Sequence, residues 1–391
     1  MKLANNQSNL EMIGQLIQYA FNKKTRVIDE PTFLSRYHHA TCFGTVNEHQ
    51  RITSLVMAND FQVAFHQKNI KMAGIGYVSS FPEARGDGSI SQLMQELLLD
   101  LYERNYLISN LAPFSERFYR KFGYENAIFT KNYQMTANFL EQFPTERTGE
   151  VIRGRWQDEK MRLIVQELYQ QIINSKQECN TVIREEWWWH RLDCYYSDRY
   201  FAIAYDRYKQ PVGYLIYRMI ANEFLIDELV YTTGFALRKL LTFVKSHASS
   251  FQAFKYSAPC HERLEILAPE HQGLTISIKP YMMTRIINFP ELLKIYPFDS
   301  NEEFIFEVTE DCYCPWNQGK WLVKGDGMDV VKVDATACQS DLAGPIQSWS
   351  ALILGDLTVE AGLLLEKFKA SNNRELDNHF LKGKVSFYDY F

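Results

Sequence analysis

Helical and strand-like periodicities alternate along residues 8–136, and this alternation predicts an α/β fold for the first part of the chain. Apolar residues recur at i, i+3, i+4 and i+7 in the helical runs, whereas the strand-like runs are short and separated by polar turns. The predicted order is a helix at 8–22, strands at 51–58, 61–67 and 70–80, a helix at 88–104, a strand at 107–112, a helix at 115–122 and a strand at 126–136.

A similar order of elements returns later in the chain. Residues 139–151 are polar, contain a proline and are predicted to form a linker. The elements that follow resemble the first pattern, which indicates a degenerate internal duplication. The predicted helices lie at 157–173, 184–193 and 235–247, and the predicted strands lie near 200–206, 211–219, 223–231 and 252–258.

The pattern changes from about residue 285, where strands are grouped ahead of helices. This grouping predicts a smaller α+β domain at the end of the chain. Residues 325–334 carry acids at turn spacing without a calcium-loop pattern, so they predict a hairpin. The strands are predicted at 302–309, 319–325 and 328–336, and the helices at 341–356 and 358–370.

Composition narrows the class of protein. The 391 residues are 46% hydrophobic and 23% charged, which is typical of a globular protein of two or three domains. No run of 18 uncharged apolar residues occurs and the N-terminus has no apolar block, so we expect no membrane span, no signal peptide and a cytoplasmic location. The net charge of −5 argues against a nucleic-acid partner and is compatible with cationic substrates. The seven cysteines and nine histidines lack metal-site spacing, so no metal is predicted.

The loop before the helix at 88–104 has the features of an anion site. A strand runs through Pro82 into a turn with two glycines and an arginine, and the helix follows at once. Helix N-termini carry unpaired N–H groups and the positive end of the helix dipole, and glycines allow a close backbone approach. The loop therefore predicts a pyrophosphate cradle, with a plain strand–turn–helix as the alternative. The cradle residues are Arg85, Gly86, Gly88 and Ser89, and we expect the side chain of Asp87 to point to solvent.

A second motif, SERFYRKFGY at 115–124, places Tyr119 on a short helix after the next strand. The order strand, Arg-x-x-Gly, helix, strand and F-Y-x-x-F-G-Y resembles the GCN5-related N-acetyltransferases (GNAT). Residues 229–241 have a similar strand and helix without the cradle, and the part after residue 285 resembles sterol carrier protein. The whole chain thus resembles the enhanced intracellular survival (Eis) acetyltransferases. The predicted architecture is tandem GNAT folds, 1–145 and a degenerate 146–284, followed by a sterol-carrier-like domain, 285–391.

The resemblance implies acetyl-CoA as co-substrate, with its pyrophosphate on the cradle. It also implies that the backbone of Val78 and Ser80 binds the pantetheine, and that the Val78 N–H can polarise the thioester carbonyl. In the family, Tyr119 corresponds to the general acid that protonates the leaving thiolate; the alternative is a core tyrosine. The C-terminal carboxylate, here that of Phe391, corresponds to the base. The aromatic tail KVSFYDYF at 384–391 supports a packed chain end, although a strand that merely closes the last domain is the alternative.

The implied activity is acetyl transfer to an amine-rich cation such as an aminoglycoside, a polyamine or a lysine side chain. The resemblance also implies a homo-oligomer, a hexamer. The alternative is a catalytically idle acyl-CoA or lipid carrier. Three consecutive tryptophans, 187–189, predict packing against another domain or subunit rather than a ligand cage. Asp29 and Glu30 either attract a cationic amine or lie in a solvated loop. Some family members carry an acceptor-contacting acid beside the last residue, whereas here Tyr390 stands there and Asp389 is one further back.

Overall fold

The computed structural model describes residues 1–298, 302–324, 329–334, 338–371, 376–381 and 383–391. Its first unit has the predicted α/β character, with amphipathic helices packed on a sheet whose buried strands are long and apolar. The elements of this unit are α1 (Gln7–Ala20), α2 (Pro31–His38), β1 (Ala40–Val46), β2 (Ile52–Phe65), β3 (Lys68–Ser80), α3 (Ser89–Glu103), β4 (Ile108–Leu111), α4 (Glu116–Arg120), β5 (Glu125–Thr136) and α5 (Ala137–Leu140).

Two strands predicted at 51–58 and 61–67 are in fact the single strand β2. The prediction was wrong because Asn59 and Asp60 interrupt the apolar pattern and were read as a turn. The Asn59 amide instead donates to the backbone carbonyls of Arg36 and His39, which satisfies a polar side chain inside a buried strand. The segments α2 and β1 were not predicted, since each is short and has a mixed apolar pattern.

The second unit repeats this arrangement. The predicted linker at 139–151 is partly wrong, because it includes the end of α5 and the start of a strand. The strand at Cys179–Ile183 was also not predicted. The elements are β6 (Glu150–Gly154), α6 (Glu159–Ile173), β7 (Cys179–Ile183), α7 (Glu186–Tyr195), β8 (Tyr200–Tyr205), β9 (Pro211–Ile220), β10 (Glu223–Tyr231), α8 (Gly234–Lys245), β11 (Ala253–Pro259) and β12 (Leu274–Ile286).

The two units share one twelve-stranded sheet. Its order is β1-β2-β3-β4-β12-β5-β11-β10-β9-β8-β6, and β7 pairs with β2. Strand β12, which follows the second unit in the chain, lies between β4 and β5 of the first unit. The predicted domain boundaries stay predictions, since hydrogen bonding is continuous across the two units.

The third domain is a smaller α+β layer, as its sequence pattern indicates. The described part has a five-stranded sheet in the order β15-β14-β13-β16-β17. The predicted turn at 325–328 and the predicted strand end at 335–336 lie outside the described residues. The elements are α9 (Phe289–Ile295), β13 (Phe304–Val308), β14 (Gly319–Lys324), β15 (Asp329–Val333), β16 (Leu342–Gly344), α10 (Ile346–Leu354), α11 (Val359–Leu364) and β17 (Lys369–Ala370).

A buried ion pair fastens this domain to the first unit. The guanidinium of Arg285, at the end of β12, lies 2.8 Å from the carboxylate of Asp311 and also donates to the carbonyl of Phe122, just after α4. Both charged side chains are almost fully buried. The described residues contain no helix that is both long and apolar enough to cross a bilayer.

Candidate active site

The site begins where strands β3 and β4 separate. They pair in parallel from Met72–Ile75 to Ile108–Leu111, and β3 then continues alone on that side to Ser80. A bulge in β3 opposite Val56 bends the strand at the same point, and Tyr77 has φ +50° there. A gap therefore opens between the two strands in the middle of the sheet.

Backbone donors of β3 face this gap. The N–H of Phe81 donates to the carbonyl of Thr53 on β2, at 2.9 Å. Because successive N–H groups along a regular strand point to opposite edges, the N–H group of Ser80 points away from β2 and into the gap. Val78 lies at the bulge, where this alternation is interrupted, and it lines the same cleft as Ser80. They are the two backbone positions predicted to bind the pantetheine.

A cleft of about 660 Å³ occupies the gap and contains all six residues predicted to bind the co-substrate. Aromatic and aliphatic side chains form much of the remaining wall, which suits a long, partly apolar ligand. The predicted residues in the cleft are Val78, Ser80, Arg85, Gly86, Gly88 and Ser89, and the other wall includes Phe21, Ile90, Phe114, Phe118 and Lys121.

The cradle has the backbone expected of an anion site. Gly86 and Gly88 have φ of +86° and +87°, a region in which a Cβ atom is strained, and Gly88 caps α3. The side chain of Asp87 is exposed but does not point freely into solvent as expected. Its carboxylate accepts from the N–H of Ser89 at 2.8 Å and from the Ser89 hydroxyl at 2.7 Å, and the backbone bond lowers the pKa of Asp87. An exposed carboxylate therefore takes up the N–H of Ser89, the first residue of α3.

Tyr119 lies directly behind the aromatic wall of the cleft. Its ring centroid is 5.2 Å from those of Phe114 and Phe118, and the residue is only 2% exposed. Ser115 accepts from the N–H of Phe118 and thereby caps the short helix that carries Tyr119. Burial raises the pKa of the Tyr119 hydroxyl, so it stays protonated at neutral pH. Within the described residues this hydroxyl makes no hydrogen bond.

The C-terminal tail is packed, as its aromatic pattern predicts, although it is not a strand beyond one bridge between Lys384 and Glu178. The ring of Phe391 is buried, lies 5.0 Å from that of Phe61, and covers Gly74 on β3. Gly74 precedes Val78 on the same strand by about 13 Å at 3.3 Å per residue. The tail therefore ends on the first unit, against the strand that borders the cleft.

Comparisons with known proteins place this arrangement in a family. Two sequence families described as "Acetyltransferase (GNAT) domain" match residues 4–127 and 181–286, and a "Sterol carrier protein domain" matches residues 289–388. A probable N-acyltransferase of unknown function from Enterococcus faecalis, solved as a crystal structure, is 33% identical, with a TM-score of 0.89 over all of this chain and 98% of that one. The chain belongs to the GNAT family.

Other relatives extend the likeness. A GCN5-related N-acetyltransferase from Anabaena variabilis is 22% identical, with a TM-score of 0.85 over the full length of both chains. Eis1 from Mycobacterium abscessus is 17% identical, with a TM-score of 0.82 over all of this chain and 99% of that one. An uncharacterized N-acetyltransferase from Streptomyces avermitilis is 32% identical over 75 residues, but the match spans only 18% of that curated relative. This GNAT therefore has the predicted Eis-type architecture, and GNAT domains use acetyl-CoA as co-substrate.

A buried arginine packs against β3 of this GNAT, and no sequence motif predicts it. Arg36 donates from Nε to the Asn59 side chain at 2.9 Å, and its guanidinium lies 4.6 Å from the ring centroid of Tyr77. It packs directly over Gly76, so a side chain at that point of β3 would force the guanidinium to shift. Burial lowers the pKa of Arg36 to about 10, and its Nη2 atom has no partner in the described chain. A lone arginine on a helix carries no motif by which sequence analysis could have found it.

The other polar and aromatic features have structural partners. Trp187 stacks on His39 with ring centroids 4.2 Å apart, and Trp188 is fully buried, so the tryptophan segment packs between the two units of this GNAT. Asp29 lies 3.7 Å from Arg26, and Glu30 accepts from Thr25 and Lys23. The exposed Asp29 and the half-buried Glu30 therefore pair with their own loop, and neither lines the cleft.

Proposed function

We propose that this protein transfers the acetyl group of acetyl-CoA to an amine of a cationic acceptor, such as an aminoglycoside, a polyamine or a lysine side chain. One observation carries the proposal: the gap between β3 and β4 joins backbone donors, an anion cradle and a protonated tyrosine in or beside one cleft. The net charge of −5 supports a cationic acceptor. By family resemblance the protein acts as a homo-oligomer, a hexamer.

Binding follows from the polar groups of the cleft. Pyrophosphate oxygens accept from the free N–H groups at the start of α3 and from Arg85, after the carboxylate of Asp87 has turned away. The pantetheine lies along β3, where Ser80 and Val78 line the gap. The Val78 N–H then donates to the thioester carbonyl and stabilises negative charge on that oxygen as the amine adds.

The reaction needs a neutral amine, because an ammonium group has no lone pair. The amine nitrogen forms a bond to the thioester carbon, and the tetrahedral adduct collapses with cleavage of the C–S bond. Tyr119 donates its proton to the departing sulfur, for which its raised pKa keeps it in the required protonated form. The proton lost by the amine passes to the base.

The base in this proposal is the α-carboxylate of Phe391. An α-carboxyl group has an ordinary pKa of about 3.5, so it is ionised at neutral pH. Its low basicity is offset by a fixed position, since the Phe391 ring is buried against Phe61 and Gly74. The proton travels from the amine to this carboxylate through a water relay, since the Phe391 ring lies on Gly74, about 13 Å along β3 from Val78.

The test measures thiol release from acetyl-CoA with a panel of amines. We expect amine-dependent release by the unaltered protein, and a kcat lower by about 100-fold in Tyr119→Phe with unchanged acetyl-CoA affinity. Tyr208→Phe, at an exposed tyrosine in the second unit, is the matched control and should retain full activity. If no amine promotes release, the carrier alternative holds instead.

A further inference from the structure

The second unit contains a gap equivalent to the cleft. Strands β10 and β11 pair in parallel only from Glu223–Ile226 to Ala253–Tyr256, and β10 then continues to Tyr231. A bulge in β10 lies directly after Ile226, and a bulge in β3 lies two to three residues after Ile75, the last residue paired with β4. The two halves of the sheet therefore open in the same way.

In the second unit the C-terminal tail enters this gap, and a cavity of about 240 Å³ remains between β10 and Tyr388 of the tail. The hydroxyl of Tyr256 donates to that of Tyr388 at 2.9 Å, and Tyr388 donates to the carbonyl of Leu229 at 3.1 Å. Leu229 lies three residues after Ile226, the last residue of β10 that pairs with β11. Val78 likewise lies three residues after Ile75, the last residue of β3 that pairs with β4. Tyr388 thus occupies the place that corresponds to the pantetheine position of the first unit.

The next residue of the tail is held by a buried ion network. The Asp389 carboxylate accepts from Nε of Arg184 at 2.9 Å and from the indole N–H of Trp188 at 2.6 Å, and it is fully buried. Arg184 also lies 2.8 Å from the carboxylate of Glu228, which sits at the bulge of β10. Asp389 is therefore held inside the second unit. It is not free to contact an acceptor, which is the role of the acid beside the last residue in some family members.

The anchored residues immediately precede the proposed base. Upstream, the Ser386 hydroxyl donates to Glu178 at 2.8 Å; downstream, the Phe391 ring meets Trp188 and Gly74 of β3. The tail thus spans from the second unit to the strand that borders the cleft. Chain ends fray unless they are tied down, so a terminal carboxylate can act at a fixed point only if such an anchor exists.

We propose that the degenerate unit is a socket for the tail, in which Tyr388 and Asp389 are positioning residues for the Phe391 carboxylate. This inference rests on the proposed role of that carboxylate. The second unit keeps the gap of the GNAT fold but uses it to bind part of its own chain.

The first experiment measures anchoring without reference to catalysis. Carboxypeptidase A is added to the folded protein, and release of Phe391 is followed by mass spectrometry. Loss of buried hydrogen bonds should speed release by about tenfold or more in Tyr388→Phe and Asp389→Asn. Tyr390→Phe, the same chemical change at an exposed neighbour, should match the unaltered protein. Equal release rates in all four proteins would overturn the socket.

The second experiment connects anchoring to turnover. We expect kcat to fall about tenfold in Tyr388→Phe and Asp389→Asn at pH 7, with KM for acetyl-CoA unchanged because the cleft is intact. The loss should shrink at high pH, where the acceptor amine is neutral without a base. Full kcat in a variant whose tail is released would contradict the positioning role.

A double-variant cycle separates this inference from the proposed base. Deletion of Phe391 moves the terminal carboxylate back to Tyr390 and should lower kcat. Adding Tyr388→Phe to the deletion should cause no further loss, since both changes take the carboxylate away from the same position. A further loss equal to that in the full chain would overturn positioning. If the deletion alone leaves kcat unchanged, the Phe391 carboxylate is not the base. The carboxypeptidase experiment then tests on its own whether the second unit holds the tail.

Discussion

At the scale of single residues, the cleft separates groups that hold the co-substrate from groups that act on the reacting atoms. Arg85 is exposed at the rim of the cradle, and it forms no ion pair within the described residues, so its charge is available to a phosphate. Tyr119 lies behind Phe114 and Phe118 and does not line the cleft that Arg85 lines. Substitutions at the two positions should therefore change different kinetic constants.

Replacing Arg85 with Gln should raise KM for acetyl-CoA about tenfold, since one charge-assisted hydrogen bond is lost, while kcat changes little. Steady-state kinetics at two salt concentrations check this, because the effect should weaken as salt rises. Arg207→Gln, at an exposed arginine in a turn of the second unit, is the control and should leave both constants unchanged. A fall in kcat at constant KM would contradict a binding role for Arg85.

The raised pKa of Tyr119 has a consequence for the alkaline pH profile. A free tyrosine loses its proton near pH 10, and burial shifts this loss to higher pH. The acid form is then present throughout the neutral range, so kcat/KM should show no decrease between pH 7 and about pH 10. An alkaline limb in this range that disappears in Tyr119→Phe would show that the hydroxyl titrates without the shift.

At the scale of elements, the sequence predicted the local secondary structure around the candidate site well. The cradle and the start of α3 follow from a short stretch of glycines, an arginine and helical periodicity, and the predicted helix at 88–104 agrees with α3 to within a residue at each end. The gap beside β3 was not predictable in the same way. It depends on where pairing with β4 stops and on the insertion of β12 between β4 and β5, both of which are long-range contacts.

The end of α4 depends on another element, through the Arg285–Asp311 pair. Asp311→Ala leaves a buried arginine without its partner, so the free energy of unfolding should fall by about 3–5 kcal/mol. Urea denaturation checks this value. The control is Glu291→Ala, which breaks an exposed pair with Lys294 and should cost less than about 0.5 kcal/mol. A comparable loss of unfolding free energy in both variants would mean that the buried pair stabilises the protein no more than the exposed pair does.

At the scale of the whole molecule, the chain end joins all three parts of the protein. The aromatic residues of 384–391 predicted a packed tail, but not where it packs, because nothing in the tail identifies Arg184, Trp188 or Tyr256 as its partners. Those partners come from the second unit, which sequence analysis described only as a degenerate copy. Its loss of the cradle is consistent with a gap that holds a segment of protein instead of a co-substrate.

The charge of the chain end can be separated from its packing. Expressed protein ligation can produce the full chain with a C-terminal amide at Phe391, which keeps the buried ring and removes the negative charge. We expect kcat at pH 7 to fall by about 100-fold, the usual contribution of a general base, with the fold and the acetyl-CoA affinity unchanged. In contrast, Phe391→Leu keeps the carboxylate and an apolar side chain, so it should lose far less activity. Equal activity of the amide and the acid would remove the carboxylate from the mechanism, because the two proteins differ in that one charge.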